Sequence, residues 1–378
     1  MMEAIDRFTI HDLVRGNDGH LAEETEVAFS EMLIRPLRQC LLATPNPILP
    51  RAGGERIGKA DVERIEQATE IFRQWDIQNG GGLLRKAVTG QLNEVNNLVA
   101  RASYTEHVGC RLLSAVADLA HLAGWMSHDV GLHVTGQQYL AFGLHAAKEA
   151  NDQPLAAQIL TNMARQMNHV HRPQDGLDLI RLARYGAEST LTATMRAMLH
   201  VEEAWMLAGM GWVQDCHRAA GLAQETFTDS RPAEDPAWMS YFTKAELLAV
   251  TGAAYRDLAW RDPAHADQAA SLLTQAVDGY GPDFARSRAL TQAVQASAYA
   301  LQGDYARAHA VTDQTLEVAS TLNSTRVHDR FQVLHSHLAG QKHREAHDLR
   351  DKLTIALSST INDGRVYKVA NGFANEPF

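Results

Sequence analysis

Gly53-Gly54-Glu55-Arg56-Ile57-Gly58-Lys59 has the G-x-x-x-x-G-K spacing of a loop that cradles phosphates with backbone N–H groups and a lysine. That chemistry needs a strand before the loop and a Ser or Thr hydroxyl after the lysine to hold magnesium. Here Ala60 follows, and Pro47 to Arg51 is no strand, so the segment reads as a linker before a helix that starts near Asp61. Gly80-Gly81-Gly82 could hold an anion at a helix N-terminus. It reads instead as the end of a helix containing Phe72 and Trp75, because glycine adopts left-handed backbone angles cheaply.

Histidine is abundant, with 18 in the chain. His343 and His347 are four apart and would share a helix face, as a zinc pair does. Yet Glu345 is not next to His343, so the metalloprotease arrangement is absent, and no cysteine pair accompanies it. The histidines read as solvated surface groups, and neither a metal nor another cofactor is expected. There is no G-x-S-x-G elbow, and Cys110 and Cys216 sit within helical patterns where small buried residues belong. No catalytic residue is assigned and no enzyme is expected.

Helices are what must position any site. The chain is rich in strong helix formers, and Leu112, Leu113, Val116, Leu119, Ala120 and Ala123 recur in steps of three and four. Turn signals such as Asn151-Asp152-Gln153-Pro154, His171-Arg172-Pro173 and Gly281-Pro282 punctuate the pattern. Gly124, Gly131 and Gly136 are answered forty residues on by Ala164, His171 and Gly176, and forty further by Ala204, Gly211 and Cys216. Small residues at a fixed period mark places where stacked helices cross closely. The reading is an all-α protein, a right-handed superhelix of about six to seven helical hairpins. Residues 1–56 form an N-terminal helical segment and a linker, 57–360 the repeat array, and 361–378 an irregular tail.

Composition narrows the class of partner. Net charge is −10, and the first fifty residues hold eight acidic and four basic side chains, so no basic stripe offers itself to nucleic acid. No apolar run of about 18 residues suggests a membrane span. Three scattered cysteines without a C-x-x-C, and no signal-peptide pattern, place the expected location in the cytoplasm.

Gly303-Asp304-Tyr305 followed by Ala308 resembles the turn of a tetratricopeptide repeat, although a period of 40 exceeds that family's ~34. More narrowly, Asp76 to Gly82, Ala117 to Asp129, Asn151 to Ala156, Ala164-Arg165-Gln166 and Asp235-Pro236-Ala237-Trp238 resemble actinobacterial helix-turn-helix/tetratricopeptide transcriptional regulators over residues 57–340. The resemblance implies a sensing and oligomerising repeat region behind a DNA-binding domain. Residues 1–56, short and acidic, carry no clear pattern for such a domain.

The first helix of each hairpin lines the inner side of such an array. The repeat alignment puts Asp118, His121, Trp125 and His128 there, then Gln158, Thr161, Arg165 and Asn168, then Met198, Val201 and Trp205, with Glu246 and Arg256 from the fourth hairpin. Amides suit an extended peptide backbone, Arg165 could fork onto a carboxylate, and the tryptophans are either anchors or core. The expectation is therefore a non-enzymatic regulatory protein that binds a peptide or protein segment, with self-association through the terminal hairpins. A regulator touching DNA directly, and a small-molecule or metal-dependent receptor or accessory enzyme, are the alternatives.

Overall fold

A computed structural model describes residues 2–15, 27–44, 54–187, 190–319, 322 and 324–362. The proline-rich part of the linker and the tail from 363 onward lie outside the described residues. The described chain is helical throughout, with one isolated backbone bridge between Arg56 and Ser103. Its α-helices are α1 (Met2–Arg15), α2 (Glu31–Leu42), α3 (Lys59–Asn79), α4 (Arg85–Arg101), α5 (Glu106–Asp129), α6 (His133–Glu149), α7 (Gln153–His169) and α8 (Pro173–Ala187). They continue with α9 (Ala193–Gly209), α10 (Val213–Phe227), α11 (Lys244–Ala259), α12 (Ala266–Gly279), α13 (Ala285–Leu301), α14 (Tyr305–Ala319), α15 (Arg326–Leu338) and α16 (Arg344–Asn362). None of them is long and apolar enough to cross a membrane.

From α5 onward the helices pack as successive pairs, and the odd-numbered member of each pair also touches the next odd-numbered helix. The turns inside three of these pairs repeat at the spacing of forty. Gly131, His171 and Gly211 all have positive φ, at 84°, 59° and 75°. In each turn a backbone N–H reaches back five residues, Leu132 to Ser127 at 2.8 Å, Arg172 to Met167 at 2.8 Å and Trp212 to Leu207 at 2.9 Å. This is the left-handed helix ending that satisfies orphaned carbonyls. Small residues hold the predicted crossings: a Cβ on Gly136 would sit 3.0 Å from the Gly124 carbonyl oxygen, and one on Gly176 would sit 3.1 Å from that of Ala164.

Gly53 lies outside the described residues, and the rest of the G-x-x-x-x-G-K segment, from Gly54 on, is taken up by local structure. The Gly58 N–H is capped by the Asp61 carboxylate at 2.8 Å, and Ile57 and Glu55 pair with the backbone of Ser103. The helix after it, α3, ends at Asn79, with Gly80 in the turn at φ 85°.

Residues before the linker are fastened to the array. Asp12 of α1 accepts from Arg85 at 2.6 Å and from the Tyr139 hydroxyl at 2.7 Å, all three groups buried. Before α2, the Gln137 amide pairs with both backbone groups of Ala28, and Asp175 accepts from the Ser30 N–H.

The chain also folds back on itself across long sequence distances. Arg286 of α13 forks onto Asp76 of α3 at 2.9 and 3.2 Å and donates to Asp129, the last residue of α5, at 3.1 Å. Asp129 is fully buried and further accepts from the Gly81 N–H at 3.1 Å and the Ser324 hydroxyl at 2.9 Å. Its carbonyl takes the Thr325 N–H at 3.0 Å. One carboxylate thus joins the α3–α4 turn, α5, α13 and the start of α15. Asp129→Ala should strand a buried arginine and lower unfolding stability by about 3–5 kcal/mol, read from urea-unfolding midpoints followed by circular dichroism.

Candidate ligand cavity

The inner faces of α3, α5, α7, α9, α11, α13 and α15 surround a cavity of about 100 Å³. A volume of that kind holds roughly seven to ten waters. Six of the thirteen residues assigned to the inner surface line it: His121, Trp125, Gln158, Arg165, Trp205 and Glu246. The repeat register through α11 was therefore legible.

The other seven are placed differently, Met198 and Val201 among them as fully buried core side chains. Asp118 lies behind the wall, where Arg73 clamps it at 2.6 and 2.7 Å. Burial would raise its carboxyl, but the charge of Arg73 and the His121 contact outweigh that and hold it down at about 2. Thr161 is buried and donates to its own helix at the Ala157 carbonyl. Arg256 is buried beside Asp257 and over the Trp260 ring. Asn168 sits at the end of α7, near Gly209, and does not line the cavity.

His128 belongs to a separate cluster. Its Nδ1 is 3.2 Å from Nδ1 of His133, and the rings of His128, His133 and His169 lie 5.2–5.3 Å apart pairwise. His169 Nε2 approaches Asp329 of α15 at 3.3 Å. Burial, reinforced by the neighbouring imidazoles, pushes His128 well below its ordinary range and brings His133 to about 4. Among the described residues no three ligand side chains are arranged to hold a metal ion. His343 and His347 are exposed.

The expected role of Arg165 needs correction. It is not open to an incoming carboxylate. Its Nε donates to fully buried Glu202 at 2.6 Å and its Nη2 to Glu246 at 3.3 Å. Glu246 also takes the Tyr280 hydroxyl at 2.7 Å. The Gln158 amide is likewise engaged, donating to the Tyr241 hydroxyl at 3.0 Å. These inner polar groups neutralise one another because an unpaired buried charge is costly. Trp125 is part-buried, with its ring facing the guanidinium of Arg326 at 4.8 Å and that of Arg286 at 5.9 Å. Trp205 is part-buried too, and its indole donates to Asp257 at 2.8 Å. Both tryptophans line the cavity, and Trp205 also packs against the hydrophobic core.

Sequence reasoning missed Arg286, Arg326 and Arg330, which bring positive charge to the cavity from α13 and α15. Arg326 and Arg330 are four apart on one helix face, and that spacing was a visible signal. Burial first, and then the charges of Arg326 and Arg256, bring Arg330 down to about 9, so it stays cationic at neutral pH. No protein-family model and no curated protein matches this sequence.

Two outcomes follow from these contacts. Arg165→Ala leaves Glu202 buried without its counter-charge and should cost about 3–5 kcal/mol, whereas Arg165→Met combined with Glu202→Leu should recover most of the loss in chemical denaturation. The His133 imidazole, held near 4 when folded against 6.5 ordinarily, binds fewer protons in the folded state. Its contribution is intact above pH 6.5 and lost as pH falls toward 4. Stability should therefore drop between pH 7 and 5 by on the order of 2 kcal/mol from this group, a slope that His133→Asn should flatten.

Proposed function

We propose that this chain is a non-enzymatic sensing module, a tetratricopeptide-like right-handed superhelix of stacked hairpins that takes a ligand into its interior. The ligand is the end of a peptide or protein segment, or a small molecule of similar size. The role is regulatory, in transcriptional or developmental control, and the setting is cytoplasmic. The observation that carries this reading is convergence: six inner-surface residues chosen from the repeat pattern, Trp125 and Trp205 among them, line one cavity together with a third indole, Trp238. A concave, largely apolar pocket with a few placed polar groups is the usual form of a ligand site.

Two observations shape the reading further. The long-range ties between α3, α5, α13 and α15 leave about 100 Å³ inside, which suits a chain end or a small molecule rather than a long extended peptide. The ties of α1 and of the segment before α2 to the array favour a supporting role for the N-terminal residues over direct contact with DNA.

The test is to purify the full chain from its native host and release any bound species for mass spectrometry, then add that species back. A saturating ligand at about 100 times its Kd should stabilise the fold by about 2.7 kcal/mol and alter indole emission. If no species is released, and host extracts change neither thermal stability nor emission, the reading fails. Enrichment of a defined DNA fragment without a bridging protein would establish direct DNA contact instead.

A further inference from the structure

The arginines that line the cavity are not equally paired. Of the residues lining it, only Asp76 and Glu246 are acidic, and both are engaged. Asp76 accepts the forked Arg286, and Glu246 accepts Arg165 and the Tyr280 hydroxyl. Among the lining arginines, Arg73, Arg165 and Arg286 each have a carboxylate within hydrogen-bond distance. Among the described residues the carboxylate within ion-pair distance of Arg326 is Asp129, at 3.6 Å, whose two oxygens already serve Ser324, Gly81 and Arg286.

Arg330 has nothing. Among the described residues no carboxylate lies within ion-pair distance of it, and its guanidinium, with five N–H donors, makes no hydrogen bond. The charges acting on it are Arg326, one turn away, and Arg256, both of the same sign, and Glu246, of opposite sign but already engaged by Arg165 and the Tyr280 hydroxyl. A part-buried cation beside like charges is an expensive arrangement where Arg73, Arg165 and Arg286 are each hydrogen-bonded to a carboxylate. Val250, Leu273, Leu290, Val294 and Trp238 add apolar side chains to the lining.

We infer that the cavity is a site for a monocarboxylate with a short apolar body, its carboxylate held by Arg330 with support from Arg326. The inference rests on the reading of this cavity as the ligand site. A planar guanidinium fork matches a carboxylate edge to edge. One guanidinium without a hydrogen-bonded partner offers one fork, which a single carboxylate edge fills. The body has room for roughly ten non-hydrogen atoms, given space for seven to ten waters. The free C-terminus of a peptide ending in an apolar residue and a free aryl- or branched-alkyl acid share this chemistry.

The experiment uses the full chain and titration calorimetry. Probes are phenylacetate, indole-3-acetate and 4-methylvalerate with their amides, inorganic phosphate, and an acetylated Gly-Leu dipeptide as acid and as amide. Acids should bind at least tenfold more tightly than the matching amides, and Arg330→Gln should erase that preference while Arg330→Lys keeps part of it. The dipeptide against the small acids tells a chain terminus from a free metabolite. A second measurement needs no ligand: Arg330→Met should leave the melting temperature of the free protein unchanged or raise it, while Arg165→Met lowers it. Equal binding of acids and amides overturns the carboxylate assignment and leaves the receptor reading standing. Preference for phosphate, binding of neither acids nor amides, or a lowered melting temperature for Arg330→Met overturns the assignment as well. Failure of the receptor reading shows separately, as no species released from the host-purified chain.

Discussion

The Asp129 carboxylate is the constraint on which the arrangement depends. It is fully buried at the end of α5 and holds the α3–α4 turn through Gly81, α13 through Arg286, and the approach to α15 through Ser324. Burial alone would raise its pKa, but the charges of Arg286 and Arg326 and the Gly81 and Ser324 donors outweigh that and keep it ionised. A buried ion cluster of this kind adds little net stability over an apolar one, yet removing one member is expensive. Its effect is selective. A packing of α15 that fails to deliver these donors leaves a buried carboxylate unpaired, so the position of α15 against α5 is tightly specified. That position is what brings Arg326 and Arg330 to the cavity.

The local half of this structure was legible in the sequence. Gly131, His171 and Gly211 adopt the same left-handed turn, and His171 shows that position, not residue type, carries the repeat. With those turns fixed, the inner face of α5, α7, α9 and α11 follows from the helical period, which is why His121, Trp125, Gln158, Arg165, Trp205 and Glu246 fall together. Two of the misplaced residues, Asp118 and Thr161, are mid-helix and turned to Arg73 and to the Ala157 carbonyl instead, and three more are at helix ends. His128 and Asn168 lie in the last turns of α5 and α7, where the helix axis has already passed the cavity. Arg256 stands in the corresponding last turn of α11.

The non-local half was not legible. Arg286 meets Asp76 across 210 residues and Asp129 across 157, and no periodic pattern encodes such pairings. The same limit explains Arg165. A repeat alignment can say that its side chain faces inward, but not that Glu202 on α9 and Glu246 on α11 face it. An inward-facing arginine in an array reads as a ligand contact until the neighbouring helices are in place. The informative arginine is the one left over after every internal pair has been formed.

That residue lies on the element that the Asp129 network positions, and this links the site to the shape of the array. Arg326 is the intermediate. It stands one helical turn from Arg330, and among the described residues the carboxylate within ion-pair distance of it, at 3.6 Å, is Asp129 itself. An anion seated against Arg330 would therefore sit within the field of the same guanidinium that faces the Trp125 ring and Asp129. A ligand can shift an equilibrium between shapes only by its differential affinity for them. On the reading proposed above, that differential would come from α15, which carries both cations to the cavity and whose start is tied to Asp129 of α5. Filling the cavity and closing the ring of contacts at Asp129 should therefore stabilise one another.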